Sequence, residues 1–388
     1  MLFAMTIRTL NELGVRRSAH EMLHCFNARP TLARRTWLEV DMDVDEEEDH
    51  AFLLEAIHVV ERLERLRDVE DLCTDVAEPV QKFVGVTRIT AHEWCQQQAV
   101  YLEKHLREGG EELRTEAMVN GEKRHKELEL EVVQREEIEV TTKEDAWAIN
   151  LLNLVLGLEQ LRREKITREL LVYGVVQGQP IIGIIDELFL EGKEIRIRDH
   201  KTRQRPTMPG EAQKRTARLQ LMCYWTLLQG LFEYFQECDD SHGAGSSTSV
   251  FNTDDIARLA GLNLKMPLSG QVRQYANSTS IRVLQNLKTV ADAFQGLHQF
   301  GRKLDYKIGT LLHLRYEWQE NLQVLGEEQF EHDGEWMAQQ LSKHPPVLQG
   351  KHLPQVVPPQ EGWKCQYCQF ADVCPAPNGL VPGPWSTS

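Results

Sequence analysis

The stretch IIGIIDELFLEGKEIRIRDHKTR, residues 181–203, contains two runs rich in isoleucine on either side of a Gly-Lys pair. Runs of this length, bounded by turn residues, predict β-strands at 181–190 and 194–200. A glycine at the first of the two central positions, here Gly192, favours a type II′ turn, which joins adjacent antiparallel strands. The stretch therefore predicts a tight β-hairpin.

This hairpin brings charged side chains together on one face. With a two-residue turn at Gly192 and Lys193, Asp186 lies directly opposite Asp199, with their Cβ atoms about 5 Å apart. Lys201 follows Asp199 by two residues and shares its face. Two facing carboxylates in a half-buried site repel each other unless positive charge lies between them, and such oxygen ligands suit Mg²⁺ or Mn²⁺. We predict a divalent-metal site here; the alternative is a loose turn that leaves one aspartate in solvent.

Two further pairs of polar residues lie four positions apart in segments that predict helices, so each pair shares a helical face. His125 and Glu129 could complete the coordination of a metal, with Glu129 either binding it or orienting a ligand. The alternative is an ordinary surface histidine. Gln220 and Tyr224 could bond phosphate oxygens or stack on a base, with a core tyrosine as the alternative.

The remaining pattern predicts a mixed α/β chain without internal repeats. Periodicity predicts helices from about 51, at 92–106, 141–161, 211–236 and 334–344, and strands at 131–140, 170–177, 311–318 and 324–331. The helix at 141–161 starts with a Thr-x-x-Glu pattern, Thr141 to Glu144, which predicts a capping box. Composition predicts a flexible loop at 239–250 and a Pro-rich C-terminal tail.

Composition places the chain among globular proteins with a sizeable core. It has 388 residues, 41% hydrophobic and 27% charged, and no apolar run approaches the ~20 residues that span a bilayer. The net charge of -15 argues against a protein covered in DNA-binding surface. We expect 1–50 to be a poorly ordered extension, Arg-rich and then acidic, and 51–388 to form a single domain.

Charge is unevenly distributed along the chain. Residues 39–50 hold eight acidic residues and no Lys or Arg, whereas 196–220 hold eight Lys or Arg and two acidic residues. Such runs are either solvated faces or the acidic and basic segments of a nucleic-acid enzyme.

Four of the eight cysteines form a pattern. Cys365, Cys368 and Cys374 follow a C-x₂-C-x₅-C spacing, and Cys95 stands alone far upstream. Three cysteines so close together suggest a metal, because core cysteines scatter and nothing indicates secretion and a disulfide framework. The spacing alone allows zinc or an iron–sulfur cluster. The other four, Cys25, Cys73, Cys223 and Cys238, show no such pattern.

These motifs, in this order, resemble the RecB-type branch of the PD-(D/E)xK nucleases. The matching elements are Gly121 with His125, Gly183 with Asp186, Asp199 with Lys201, and Gln220 with Tyr224. The blocks VTTKEDAWAINLLN, GIIDELFLEGKEIRIRDHKTR with RPTMPGEAQK, and KCQYCQFADVC are similar to those of the eukaryotic exonuclease V family. The resemblance covers about 85–380. The acid before the lysine is Asp199, where glutamate is also common in the family, and either is a hard oxygen ligand.

The resemblance implies a restriction-endonuclease-like α/β fold, with a central mixed sheet flanked by helices, helical additions and a C-terminal iron–sulfur site. The metal core would occupy about 115–235. His125, Asp186 and Asp199 would hold Mg²⁺ or Mn²⁺, with Glu129 a weaker candidate, and Lys201 would position the attacking water. The resemblance also implies a structural [4Fe–4S] cluster on Cys95, Cys365, Cys368 and Cys374.

The implied activity is hydrolysis of single-stranded DNA from an end, in DNA repair. Gln220 and Tyr224 would line the DNA path. The basic segment would track the phosphates, through Arg203, Arg205, Lys214, Arg215 and Arg218. Strand polarity is not readable from the sequence.

Other function classes are weighed by the same motifs. A non-catalytic iron–sulfur or zinc DNA-binding protein would have a degenerate site, yet all four motif elements are intact. A phosphohydrolase of small nucleotides would need neither the Gln/Tyr pair nor the basic segment, and a helical scaffold would leave the cysteines unexplained.

We expect a monomer that does not bind membranes, with a single-strand-binding protein as a candidate partner. The family resemblance implies the nucleus, while the Arg-rich start keeps a mitochondrial presequence as the alternative.

Overall fold

A computed structural model describes residues 83–110, 116–130, 138, 140–237, 249–343, 347 and 352–374. The predicted N-terminal extension, the helix from about 51 and nearly all of the predicted strand at 131–140 lie outside these residues. So do the loop at 239–248, the tail after 374 and Cys25, Cys73 and Cys238.

The described residues contain both strands and helices. The strands are β1 (Val84–Gly85), β2 (Ile166–Val176), β3 (Gln179–Glu191), β4 (Glu194–Arg203), β5 (Lys307–Trp318) and β6 (Val324–Glu331). The helices are α1 (Val86–Trp94), α2 (Gln96–Arg107), α3 (Glu116–Leu130), α4 (Lys143–Glu164), α5 (Glu211–Gln236), α6 (Thr253–Leu259), α7 (Gly270–Ser278), α8 (Val290–Gly301) and α9 (Gly334–Lys343). Short 3₁₀ helices lie at Arg282–Leu284, between α7 and α8, and at Pro359–Tyr367 and Ala371–Val373, after α9.

All six strands belong to one mixed sheet. The order is β1-β3-β4-β5-β6, and β2 also pairs with β3. β1 and β3 are parallel, as are β4 and β5, while the other pairs are antiparallel. Helices pack against this sheet: α4 and α5 contact β2, α5 also contacts β5, and α3 contacts β4. The predicted α/β fold, a mixed sheet flanked by helices, is confirmed.

The central hairpin has the predicted register. Glu191 pairs with Glu194, and the ladder continues to Glu187 and Arg198. Gly192 has φ +64, the positive value that the first position of a type II′ turn requires. Turn chemistry and strand periodicity therefore set the alignment of β3 and β4.

The other predicted elements within the described residues are also present, with some differences; β2, for example, begins at Ile166, four residues before the predicted strand 170–177. The strands 311–318 and 324–331 form the antiparallel pair of β5 and β6, and α5 and α9 have almost the predicted bounds. The predicted helix 92–106 is instead two helices, because Cys95 between α1 and α2 has the extended values φ -165 and ψ 111. Extended backbone at this cysteine ends the first helix and turns its side chain out of the helical path.

The start of α4 differs from the predicted capping box by one residue. Thr142, not Thr141, is the N-cap, and its hydroxyl accepts a hydrogen bond from the backbone N–H of Asp145. Glu144 instead accepts a hydrogen bond from the backbone N–H of Asn263 at 2.9 Å. The prediction was wrong because the partner of Glu144 lies more than a hundred residues away, and local spacing does not encode it.

The hydrophobic core lies between the sheet and its helices. Trp147 of α4 stacks edge-on against Tyr173 of β2, with ring centroids 4.9 Å apart, and Tyr173 contacts Phe251 at 5.6 Å. Trp147 and Tyr173 are each 1% exposed, so these contacts bury large apolar areas. None of the helices described is long and apolar enough to cross a membrane.

Candidate functional site

The candidate site lies where β3 and β4 separate. Counted outward from the turn, the last pair of their ladder is Glu187 with Arg198. Asp186 and Asp199 are the next residues on the two strands. At this point Asp186 Oδ2 accepts a hydrogen bond from the backbone N–H of His200 at 3.1 Å. The carboxylate of Asp186, rather than the backbone of β3, therefore contacts β4 here. Both aspartates are buried, and acidic side chains are rarely buried unless a cation or another polar partner compensates their charge.

Asp199 and Lys201 form a close ion pair. Lys201 Nζ lies 3.0 Å from Asp199 Oδ1 and 2.9 Å from Oδ2. Burial raises the pKa of Asp199 to about 6; Lys201 opposes this shift, and the negative charge of Asp186 adds to it. Burial would lower the pKa of Lys201, but the charges of Asp199 and Asp186 outweigh it and the pKa is raised. Lys201 is therefore a stable cation next to two acids.

Gln220 and Tyr224 extend this network within the protein. Lys201 Nζ donates to Gln220 Oε1 at 2.9 Å, and Gln220 Nε2 donates to Tyr224 Oη at 2.9 Å. Tyr224 is 2% exposed. A Cβ on Gly183 would lie 2.5 Å from Tyr224 Cε1, so glycine is required for this close approach. In this structure the pair supports Lys201, and Tyr224 presents no open face on which a base could stack.

His125 approaches the site from α3. Its Nδ1 lies 3.4 Å from Asp186 Oδ2. A Cβ on Gly121 would lie 3.2 Å from Thr202 Oγ1, so this glycine keeps α3 close to β4. Arg124 Nε also reaches Glu317 on β5 at 2.9 Å, which anchors the same helix turn to the sheet. The side chain of Glu129 lies outside the described residues.

A residue that the sequence reasoning missed completes this cluster. Glu169 of β2 places Oε1 3.8 Å from His125 Nδ1, and donor atoms of Glu169, His125 and Asp186 all lie within 4.8 Å of one another. A usable signal existed in the sequence. Val176 pairs with Gln179 around a two-residue turn, and extending that register places Glu169 opposite Asp186.

The predicted DNA-binding cations differ in their surroundings. Lys214 lies 3.2 Å from Glu328, and Arg218 pairs with Glu328 and Glu211. Arg215 lies 2.8 Å from both Glu93 and Glu361. A DNA phosphate could contact any of these three cations only by displacing the carboxylates that pair with them.

The two arginines closer to Lys201 are surrounded differently. Arg203 donates to the neutral oxygens of Thr207 and Gln213, at 3.3 and 3.1 Å. Arg205 is exposed. A phosphate could therefore replace either contact of Arg203 without breaking an ion pair.

The four patterned cysteines line one small cavity although they come from distant parts of the chain. Cys95 lies at the junction of α1 and α2, and Cys365, Cys368 and Cys374 lie in and after the last two 3₁₀ helices. All four are free thiols. Among the residues that the structure describes, no three of these sulfurs lie within 4.8 Å of one another.

Several contacts hold the C-terminal segment on α1 and α2. Tyr101 donates to the backbone oxygen of Val373 at 3.1 Å. Lys364, 3% exposed, also lines the cavity and donates to the backbone oxygen of Trp94 at 3.0 Å. Lys364 also pairs with Glu361 at 2.6 Å, so its charge is compensated within the same segment. This arrangement joins the two ends of the described chain.

Comparisons with known proteins identify the family of this chain. A family model described as "Exonuclease V - a 5' deoxyribonuclease" matches residues 77–196 and 190–375. Exonuclease V of Danio rerio is 26% identical over 303 residues, which cover 76% of this chain and 72% of that protein. The crystal structure of SSO0001 aligns over 82% of this chain and 96% of that chain, with 12% identity and a TM-score of 0.34. Because the family model spans most of the chain, this protein belongs to the exonuclease V family and is a 5′ DNA exonuclease.

Proposed function

We propose that this exonuclease is metal-dependent, acts on single-stranded DNA in DNA repair, and carries a structural [4Fe–4S] cluster. The observation that supports the proposal best is the convergence of His125, Asp186, Asp199 and Lys201 where β3 and β4 separate. A degenerate nuclease site would not retain this set of charges in contact, so the non-catalytic alternative is disfavoured.

The donor atoms of the site fit a hard divalent cation. His125, Asp186 and Asp199 would hold it, through one imidazole nitrogen and carboxylate oxygens. Asp199 is fully buried with Oδ2 2.9 Å from Lys201 Nζ, and a metal cation would further compensate the negative charge that Asp186 and Asp199 place together. When bound, Mg²⁺ or Mn²⁺ would acidify a water molecule and polarise the scissile phosphate.

Lys201 supplies the fixed positive charge of the site. Its ammonium group is held between Asp199 and Gln220, so it is oriented before any substrate arrives. Negative charge grows on the phosphoryl oxygens as the phosphodiester bond breaks, and a preoriented cation stabilises that charge. We assign Lys201 to this role and to the positioning of the attacking water.

The distribution of basic residues favours a single strand as substrate. Arg203 and Arg205 follow Lys201 directly, and neither contact of Arg203 is with an acid. A short basic strip on a chain of net charge -15 can track one backbone while repelling a broad duplex surface.

The arrangement of the four cysteines around one cavity favours a metal–thiolate group larger than a single ion. Tetrahedral zinc with Zn–S bonds of about 2.3 Å requires sulfurs roughly 3.8 Å apart. No three sulfurs among the described cysteines are within 4.8 Å of one another, so a closed zinc site is not preformed. A [4Fe–4S] cluster takes four thiolates with wider spacing.

The test of the catalytic proposal is digestion of DNA with a label at the 5′ or the 3′ end, in single-stranded and duplex form, with and without Mg²⁺. We expect the wild type to shorten single strands from the 5′ end only when the metal is present. Asp199→Asn and Lys201→Met should each lose at least a hundredfold in rate. Asp305→Asn is the matched control, because Asp305 is exposed and far along the chain from the site. If the two site variants digest DNA as fast as this control, the assignment is wrong.

We also propose a monomer that acts in the nucleus. Light scattering of the purified chain tests the first point. Imaging of the tagged full-length chain, with and without residues 1–50, tests the second, and mitochondrial signal that depends on 1–50 would overturn it.

A further inference from the structure

Glu169 occupies a special position in β2. Its neighbours pair regularly with β3, Arg168 with Glu187 and Leu170 with Ile185. Extending this register places Glu169 directly opposite Asp186, with both side chains on the same face of the sheet. The β3–β4 register places Asp199 opposite Asp186 on the other neighbouring strand. Asp186 therefore has a carboxylate on both neighbouring strands. Three acids in a row across a sheet repel one another unless cations separate them.

Different basic groups lie next to the two outer acids. Asp199 has Lys201 at 2.9 Å. Arg168, next to Glu169, places Nε 3.0 Å from Glu187 and donates from Nη1 to the backbone oxygen of Leu128. His125, at 3.8 Å from Glu169 and 3.4 Å from Asp186, faces both remaining carboxylates. The pair Glu169 and Asp186 thus has an imidazole nitrogen in common.

The backbone of Glu169 is also unusual. Its φ is +53, a left-handed value that side chains other than glycine rarely adopt, in the middle of an otherwise regular strand. The side chain is only 5% exposed. A conformation that costs energy inside a strand persists where the surrounding structure or a function requires it. Here it accompanies a carboxylate buried in the metal site.

We propose that Glu169 is a direct ligand of the divalent ion, together with His125 and Asp186. The inference rests on the proposed metal-dependent function. It places the ion on the His125 side of Asp186, where donor atoms of the three residues already lie within 4.8 Å of one another. Asp199, paired with Lys201, would remain a further carboxylate ligand from β4. An imidazole with several carboxylates binds Mn²⁺ more tightly than Mg²⁺, so the site should prefer Mn²⁺.

The test measures Mn²⁺ binding without DNA, from the electron paramagnetic resonance signal of free Mn²⁺ during titration. Glu169→Gln removes the charge and keeps the size of the side chain. We expect it to weaken Mn²⁺ binding at least about tenfold, the lower end for disturbed metal sites. Glu191→Gln is the matched control, because Glu191 lies at the far end of β3 with its side chain 68% exposed, and it should bind as the wild type does.

Two further variants separate the possible outcomes. Asp186→Asn should lose Mn²⁺ binding if the proposed function is correct. Retained binding by Glu169→Gln together with loss by Asp186→Asn would overturn the Glu169 assignment and leave the proposed function intact. A wild type that binds no Mn²⁺ would overturn both. Should Glu169→Gln fail to fold, as judged by circular dichroism, Glu169→Asp decides: its shorter side chain should weaken binding severalfold, and unchanged affinity would refute the assignment.

Discussion

Lys201 Nζ donates to Gln220 Oε1 at 2.9 Å, and Gln220 in turn donates to Tyr224, so the motif glutamine orients the motif lysine. This contact changes the interpretation of the Gln-x-x-x-Tyr element. From the sequence, both residues were expected to contact DNA. In the structure both are buried and joined to Lys201 by hydrogen bonds, so we propose that they position this lysine, and their contact with DNA stays a prediction.

Gln220→Leu tests this role. Loss of the acceptor leaves Lys201 Nζ without one of its partners, and a hydrogen bond to a charged group contributes about 1.5–3 kcal/mol. We therefore expect kcat to fall roughly ten- to hundredfold with KM for DNA nearly unchanged. Gln229→Leu, an exposed residue of the same helix, is the control. A raised KM at normal kcat would indicate DNA contact instead.

Gly183→Ala should disrupt the packing behind the site. The new Cβ would lie 2.5 Å from Tyr224 Cε1 and 2.8 Å from Val86 Cγ2, both within a packed core. Overpacking of this kind costs about 1–3 kcal/mol of the free energy of unfolding, measured with urea. Gly270→Ala, at the first residue of α7, has nothing within 4 Å of the added atom and should not lower the stability. Equal stability of the two variants would show that Tyr224 does not approach Gly183 so closely.

His200 should make stability depend on pH in the alkaline range. Its Nε2 lies 3.4 Å from Glu187 and its Nδ1 3.9 Å from Glu317. Burial lowers the pKa of His200, but the two carboxylates outweigh burial and raise it to about 9. The folded pKa exceeds the ordinary value of about 6.5, so the contribution is complete below pH ~6.5 and is lost as pH rises through about 9.

The expected size of this effect is on the order of 3 kcal/mol, because one pKa unit corresponds to about 1.4 kcal/mol. Urea unfolding with EDTA at several pH values between about 6 and 10 measures it. The alkaline loss should be absent from His200→Gln, which cannot titrate. A wild type equally stable across this range would contradict the ion pairs.

The basic strip predicts a salt-dependent signature. Arg203→Gln and Arg205→Gln should each weaken single-strand binding and reduce the slope of log K against log salt by about 0.7 per lost phosphate contact. Lys214→Gln should change the slope less, because Lys214 already pairs with Glu328 and Glu211. Binding is measured by fluorescence anisotropy with EDTA, where no cleavage occurs. A larger change in slope for Lys214→Gln than for Arg203→Gln would contradict the proposed DNA path.

Removal of one cavity cysteine should remove the cluster. Protein purified without oxygen should be brown, and Cys368→Ser should be colourless or insoluble because three thiolates hold the cluster poorly. Iron and acid-labile sulfide are then measured per chain. Cys223→Ser is the control, since Cys223 is buried in the core away from the cavity. Zinc without iron in the wild type, or full colour in Cys368→Ser, would contradict the assignment.

Much of the central sheet could be predicted because its rules are local. A two-residue turn at Gly192 and alternation of side chains along two strands place Asp186 near Asp199 without any knowledge of the rest of the chain. The same rule, applied to the turn at Gln177 and Gly178, would have identified Glu169. Helices α5 and α9 could be predicted for the same reason, because their hydrophobic periodicity is a local property of the sequence.

Long-range packing decided the rest. The basic residues of α5 look available in the sequence, yet Arg215 meets Glu93 and Glu361, which lie more than a hundred residues away on either side. Tyr224 turns inward because Gly183 leaves room for it, and Cys95 reaches the C-terminal trio because the backbone at that residue leaves the helix. Contacts between distant segments depend on how whole elements pack, whereas the register of a hairpin depends on its turn alone.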